Sequence, residues 1–462
     1  MPELNAGPEL NAGPELNAGP ELNAGPDLQA GPYLHHDELR WLVGIEDTCV
    51  YPPAGSAMAR LDEHALTGHD RHWRTDLAAV SRFGASGLRY GVSWPRVCPQ
   101  PGVYDWSELD ERLGYAVREL GLTVIADLVH YGTPTWLDGA FADPRYPSAI
   151  ADFASAFAGR YRGLVDHITP LNEPVTTASF AGLRGVWPPA LTGWPGWVTV
   201  TLSMVEGIRR TIAGVRAANP GAVVVHVEAA TLYETRDDDL AEHTALLAGI
   251  GYLPTELLLG RVTADHPLRS WLTGQGASPA VLDRFLTDPP ALDVLGVNYY
   301  PDLTPRVIEQ VDGAIRQVTV NRWTEGLEQA LRAAGDRFGL PMMVTETSIE
   351  GDEGVRRGWA EESIATVRRL RAEGLDIRGY TWWPLLDFVD WSFASGGRNV
   401  EEFVLDPAGG ATPSAEMYGD VADGVTPFLR RMGLIGLTET ADGDLLRTDT
   451  EAATAYTKEA DA

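Results

Sequence analysis

A single parallel (β/α)₈ (TIM) barrel behind a flexible low-complexity leader is the fold this sequence predicts, and three observations predict it. Short β-rich runs alternate with amphipathic helical patterns over most of the 462 residues. Eight such runs occur, the number that closes a parallel ring. With 44% hydrophobic residues and 14 Trp, the chain carries enough apolar surface for one large core.

The elements follow in order. "PELNAG" occurs four times from Pro2, followed by "PDLQAG". One Leu per unit, with a Pro and a Gly beside it, supports no helix face, so residues 1–38 are read as a leader ahead of a barrel spanning 39–450. The expected strands begin at "WLVG" (41), "GLRYGVSW" (87), "LTVIADLVH" (122), "HITPLNE" (167), "AVVVHVEA" (222), "LDVLGVNYY" (292), "MMVTET" (342) and "IRGYTWWP" (377). Helical patterns separate them, such as "WRTDLAAVSRFGAS", "LDERLGYAVRELG", "AIADFASAFAGRYRGL", "MVEGIRRTIAGVRAANP", "GLEQALRAAGDRFG" and "ESIATVRRLRAEG". Residues 230–290 carry extra helical segments and a loop that an open doubly wound sheet would also accommodate, but no G-x-G-x-x-G follows a strand. Residues 451–462 read as a frayed polar tail.

Composition excludes whole classes of function. A net charge of −29 opposes nucleic acid and anionic membrane surfaces, which draw their affinity from basic groups. Lys458 is the one lysine and lies in the tail, so Schiff-base chemistry, pyridoxal-phosphate anchoring and a P-loop lack their lysine. Cys49 and Cys98 cannot build a disulfide framework and are expected to be buried thiols. Neither a signal peptide nor a membrane span is indicated, and the expected compartment is the cytoplasm.

Barrel enzymes work at the carboxyl ends of their strands. Those ends present Glu46; Arg89 and Trp94; His130; Asn172 and Glu173; Asn298, Tyr299 and Tyr300; Glu346; then Trp382, Trp383, Asp387, Asp390 and Trp391. In "LNEP", Pro174 is expected to push Glu173 into extended geometry at the end of the fourth strand. Glu346 ends the seventh, roughly opposite in an eight-membered ring. Two carboxylates facing one cavity suit glycosidic cleavage, where one must be protonated and the other ionised. Arg89 is placed to keep one of them ionised. His64, His69 and His72 have a loose metal-like spacing but read as structural, with Asp70 as a helix cap.

Six blocks carry a resemblance: "LRYGVSWPR" (88), "LVHYGTPTWL" (128), "LNEP" (171), "GVNYY" (296), "VTET" (344) and "GYTWWPLLDFVDW" (379). In this order the chain resembles family 1 glycoside hydrolases, the β-glucosidase-like retaining enzymes, from about residue 41 to 406. "NEPVTTASFAGLRGVW" is also similar to a divergent actinobacterial branch of family-1-like domains. The resemblance implies Glu173 as acid/base, Glu346 as nucleophile, Asn172 on a sugar 2-hydroxyl, His130 on the ring hydroxyls, and Arg89 and Tyr300 holding the nucleophile. It adds Asn298 and Asp390 to the substrate contacts, with Trp383 and Trp391 as aromatic platforms. No metal or organic cofactor is expected, and the expected partner is a small glycoside or oligosaccharide.

The chain departs from the family pattern where the sugar is held. Gln-Ile-Glu-Gly becomes Gly44-Ile45-Glu46-Asp47, His-Trp becomes His130-Tyr131, Glu-Asn-Gly becomes Glu346-Thr347-Ser348, and Asn-Phe-Glu-Trp becomes Phe388-Val389-Asp390-Trp391. A polar site discriminates through hydroxyls left unpaired, so these changes redirect sugar choice. The expected activity is hydrolysis of a β-O-glycoside with retention. The alternatives that stay open are a transglycosylase or tailoring glycosidase, and a catalytically silent sugar-binding barrel.

Overall fold

The computed structural model describes residues 33–34, 36–56, 58–311, 313–395, 403–406, 410–413 and 429–461. All eight expected strands form: β1 Arg40–Gly44, β2 Gly87–Gly91, β3 Thr123–Asp127, β4 His167–Thr169, β5 Val223–Ala229, β6 Val294–Asn298, β7 Met342–Thr347 and β8 Ile377–Trp382. They close a barrel in chain order, β1 pairing with both β2 and β8, and each pairing is parallel. The (β/α)₈ expectation therefore holds.

Helices follow each strand. They are α1 His69–Arg82, α2 Ser107–Gly114, α3 Tyr146–Arg160, α4 Gly193–Ala218, α5 Ala241–Leu258, α6 Trp323–Phe338, α7 Glu353–Ala372 and α8 Glu451–Ala460. The outer faces of the strands and the inner faces of the helices form one apolar cluster, including Val80, Phe153, Phe157, Ile208, Leu331 and Ile364. A second cluster lies inside the ring, where Leu42, Ile125, Val225, Val227, Val294 and Met343 meet. Side chains alternate along a strand, so positions two further along from this layer, Asp127 and Thr345, point to the same interior, as do Arg89 and Asn298. The interior is thus apolar in its lower layer and polar in its upper one.

Two expected boundaries are corrected. The repeats at 1–32 lie outside the described residues, but Leu34 is buried in the interior cluster with Tyr33 against it, and Tyr33 Oη pairs with Ser86 Oγ at 2.8 Å. The barrel therefore begins before residue 39, because its open lower end needs an apolar plug. The expected tail is α8, with Ala452, Ala453, Ala455 and Tyr456 buried. Small side chains on one face let it lie close to α7, Thr450 caps its first turn, and Tyr456 Oη donates to the Leu42 carbonyl at 2.9 Å. It completes the ring of helices.

The middle region adds an element that no periodicity revealed. Strands Leu232–Glu234, Pro305–Val311, Ala314–Thr319, Phe403–Asp406 and Gly410–Pro413 form a separate sheet. Its hairpin turns through Gly313 at φ +81°, and its residues Tyr233 and Arg306 wall the cavity described below. His69 bonds Asp76 and Tyr90, and His72 bonds Asp444, so these histidines are structural. Asp70 is not a cap: it lies in the first turn of α1 and pairs with Arg96 and Arg112, while Gly68 holds the cap position. Cys49 and Cys98 are buried and free. Among the described residues, no helix is long and apolar enough to cross a membrane.

Candidate active site

Two local irregularities aim Glu173 and Glu346. After β4, Asn172 bridges Val227 of β5, and the Glu173 amide donates to the Val227 carbonyl at 3.2 Å. Glu173 itself has φ +44° and ψ +71°, left-handed rather than the expected extended geometry. Pro174 opens the short helix Pro174–Ala178 and bars the right-handed α region at Glu173. The left-handed turn lets one residue leave the strand and cap the helix, at a cost of about 1–3 kcal/mol. Tyr131 has the same kind of backbone, φ +73°, and its hydroxyl donates to Glu173 Oε2 at 2.9 Å.

Glu346 is aimed by a bulge. Strict alternation from Met343 and Thr345 would turn it out of the barrel. The register of β7 on β6 shifts between Val344 and Glu346, so that Glu346 sits opposite Asn298. The extra residue rotates the carboxylate back into the interior.

Arg89, fully buried on β2, ties the site together. One of its amino groups contacts Glu346 Oε1, and the other donates to Asp127 Oδ2 at 2.5 Å and Asn172 Oδ1 at 2.8 Å. Tyr300 donates to Glu346 Oε2 at 2.8 Å, and Asn298 donates to Glu173 Oε1 at 2.7 Å. Glu346 thus receives a cation and a phenol, while Glu173 receives two neutral donors. Burial pushes Glu346 up to about 8; Arg89 pulls it down and the Glu173 charge pushes it further up.

Both groups line a cavity of about 170 Å³, room for a ring-sized ligand. From the strand ends come Glu46, Tyr131, Glu173, Asn298, Tyr300, Glu346 and Trp391. Apolar side chains, among them Phe180, Leu183, Trp194, Trp197, Leu247 and Ile250, supply another part of the wall. The Trp391 indole nitrogen is buried and has no hydrogen-bond partner among the described residues. It is a donor held ready at the wall.

Five expected substrate contacts lie behind this wall rather than on it. Arg89, His130, Asn172, Trp383 and Asp390 do not line the cavity. Asn172 spends Oδ1 on Arg89 and Asn298, and Nδ2 on Tyr131 Oη at 2.9 Å and His130 Nε2 at 3.2 Å. His130 Nδ1 donates to Asp127 Oδ2 at 3.0 Å and lies 2.6 Å from Asp47 Oδ1. Nδ1 lies between two carboxylates, and against the burial of the ring Asp47 and Asp127 raise His130 well above its usual value; Asp47 is pushed up to about 6 by burial, with His130 opposing. Asp390 accepts the Ser392 amide at 2.9 Å and lies 3.9 Å from Arg430. Asp387, also on the expected rim, instead accepts backbone amides of Met432, Gly433 and Leu437 and fastens the chain after 429.

Two of the departures noted in the sequence, Gly44 and Asp47, meet around one ring stack. The His130 ring lies parallel to Trp383, 5.4 Å between centroids and 3° between planes. On β1, a Cβ at Gly44 would come within 1.8 Å of the Trp383 ring. Asp47 reaches His130 over Gly91, where a Cβ would meet the carboxylate at 2.0 Å. Trp383 Nε1 donates to Glu46 Oε2 at 2.9 Å. Asp127 was missed as a site-building residue, its one signal being its place just before the block at 128, whereas Asp47 and Tyr131 stood out only as departures from the family pattern. Asp47, Asp127 and His130 bring ligand-type atoms within 4.8 Å of one another, but Arg89 against Asp127 already supplies the positive charge there.

Comparison with known proteins gives a consistent picture. The sequence model of Glycosyl hydrolase family 1 matches residues 55–241. A bifunctional β-D-glucosidase/β-D-fucosidase of Bifidobacterium breve is 25% identical over 383 residues, 71% of this chain and 80% of that protein. Thermostable β-glucosidase B of Thermobispora bispora is 24% identical over 406 residues, 77% of this chain and 80% of its own. Among solved structures, the β-glucosidase of Thermotoga maritima in complex with azafagomine aligns with a TM-score of 0.70 at 16% identity, covering 91% of this chain and 97% of that one.

Proposed function

We propose that this chain, which the model of glycosyl hydrolase family 1 and its relatives match, is a member of that family and hydrolyses a β-O-glycoside with retention, through Glu346 as nucleophile and Glu173 as acid/base. One observation carries the assignment: both carboxylates line one cavity, and of the two only Glu346 has an ion pair with a guanidinium among the described residues. Arg89 and Tyr300 hold the Glu346 carboxylate in place for attack, the cation opposing the burial that pushes Glu346 up, and the acid/base role is given to Glu173, which only neutral donors contact. In the first step Glu346 attacks the anomeric carbon as the bond to the glycosidic oxygen breaks and Glu173 protonates that oxygen. In the second, Glu173 takes a proton from water, whose oxygen displaces Glu346 from the same carbon. Two inversions restore the original configuration. The geometry this requires is a carboxyl separation of about 5 Å, rather than the roughly 6.5–9.5 Å that admits an inverting water.

The relatives named above are β-glucosidases and a β-fucosidase, which favours a neutral hexose on the glycone side. The apolar lining from Phe180, Leu183, Trp194 and Ile250 favours an apolar leaving group over a second sugar. Two buried free thiols fit a reducing compartment, so the cytoplasm is the proposed location. Proton NMR of an aryl β-glucoside digest tests the mechanism. The β-hemiacetal is expected as the first product, mutarotating later; an initial α-hemiacetal sinks it.

A further inference from the structure

The geometry points to Glu46 as the carboxylate that selects the sugar, by accepting hydrogen bonds from glycone hydroxyls. The inference rests on the glycosidase reading and adds a residue to its site. Glu46 is 3% exposed and forms part of the cavity wall beside Glu173 and Glu346. Tyr131 and Tyr300 each feel the charges of all three, so the carboxylates surround the same space.

Two features separate Glu46 from an ordinary buried carboxylate. Among the described residues it has no cationic partner, whereas Glu346 has Arg89. Its orientation is nonetheless fixed: Oε1 accepts the Thr48 amide at 3.1 Å and the Thr48 hydroxyl, and Oε2 accepts Trp383 Nε1 at 2.9 Å. A buried charge without a counter-ion is costly unless it is hydrogen-bonded. Oε1 already accepts twice, but Oε2 accepts only from Trp383 and keeps a second lone pair, which suits a hydroxyl donor from a ring in the cavity. His130 and Asn172 direct their polar atoms at Asp127, Arg89 and Tyr131, which leaves Glu46 as the third acidic acceptor on the wall.

The unusual residues around Glu46 serve its placement. Gly44 leaves the space the Trp383 ring occupies, His130 stacks on that ring, Asp47 and Asp127 hold His130, and the ring nitrogen holds Glu46. Trp383 is thus a positioning residue acting through Glu46.

The experiment measures kcat/KM for p-nitrophenyl β-D-glucoside and each of its single-deoxy derivatives, on the wild type and on Glu46→Gln, Glu46→Ala and Trp383→Phe. Calorimetric binding of glucose and the corresponding deoxy sugars is measured on the same proteins. Glu46→Gln is expected to lower kcat/KM for the full sugar by roughly 10- to 100-fold, the loss typical of a hydrogen bond to a charged group. Against one or two of the deoxy substrates it should lose almost nothing, since the partner hydroxyl is already gone. Trp383→Phe keeps the ring and should show the same selective loss in smaller degree. A uniform loss across the series, or none, overturns the assignment of Glu46. Wild-type protein that binds these sugars with Glu46-dependent selectivity but turns none over overturns the glycosidase reading and leaves the Glu46 contact standing.

Discussion

Arg89 opposes the burial that pushes Glu346 up, and its removal should be felt twice. It neutralises Glu346 and Asp127 with no exposure of its own, so Arg89→Met leaves buried charges unpaired and should cost about 3–5 kcal/mol in chemical denaturation. It should also raise the pH at which Glu346 ionises, moving the acid limb of the pH–rate profile upward, since Arg89 pulls Glu346 down. Glu346→Gln should act oppositely on stability. The Glu346 carboxyl is lifted from 4.5 to about 8 in the folded chain, so between those values the folded state binds the extra proton. Wild-type stability then falls as pH rises through that window. The variant loses this penalty: its excess melting temperature should be near zero below pH 4.5 and grow to a plateau above pH 8. At about 1.36 kcal/mol per unit the ceiling is on the order of 5 kcal/mol, reduced by the amide facing Arg89. Turnover should vanish in the same variant. Glu173 and Glu346 were legible because each ends a strand beside recognisable neighbours. Gly44 and Asp47 could be seen to differ, but not why: the reason for Gly44 is the ring of Trp383, far along the chain.

The elements that were legible are those with a clean period. Strands β1 to β8 stood out because each is a short apolar run bounded by turns. Helix α5 did not, because Leu247, Ile250, Leu253, Leu257 and Leu258 are buried on several of its faces and no single stripe dominates. The bulge in β7 has no residue signature, yet it aims Glu346. Helix α8 was hidden by its polar composition, and its role is open to measurement. Tyr456 is fully buried and bonded to the Leu42 carbonyl of β1 at 2.9 Å. Tyr456→Phe should lose about 0.5–1.5 kcal/mol, the worth of that hydrogen bond. Tyr456→Ala should lose about 3–5 kcal/mol through the cavity it leaves. Equal, negligible losses for both in urea titrations would mean that α8 is not part of the cooperative fold.

At the scale of the whole molecule, the question is where the folding unit begins, and two truncations divide it. A (β/α)₈ ring has an open lower end that must be filled, and here Leu34 fills it, joined by Tyr33. The short segment is pinned from several sides: Arg40 donates to the Tyr33 carbonyl at 2.9 Å, Arg378 to the Leu34 carbonyl at 3.3 Å, and Arg371 to the His36 carbonyl at 3.0 Å. The repeats before it offer one Leu in six residues and little else to bury. A chain starting at Pro32 should therefore match the full chain in stability to within about 0.5 kcal/mol. One starting at Leu39 loses the buried Leu34 side chain, worth about 2–5 kcal/mol, together with the Tyr33–Ser86 hydrogen bond. The site lies at the opposite end of the strands, so kcat near room temperature should be similar in both chains. What should separate them is the temperature at which activity is lost, lower in the shorter chain. Because Ser86 and Gly87 lie under Arg89 on β2, loosening the plug reaches the site only by melting the strand that carries its guanidinium. A shorter chain that keeps its thermal stability, or one that loses kcat well below its melting temperature, would show that the plug and the ring are not one unit.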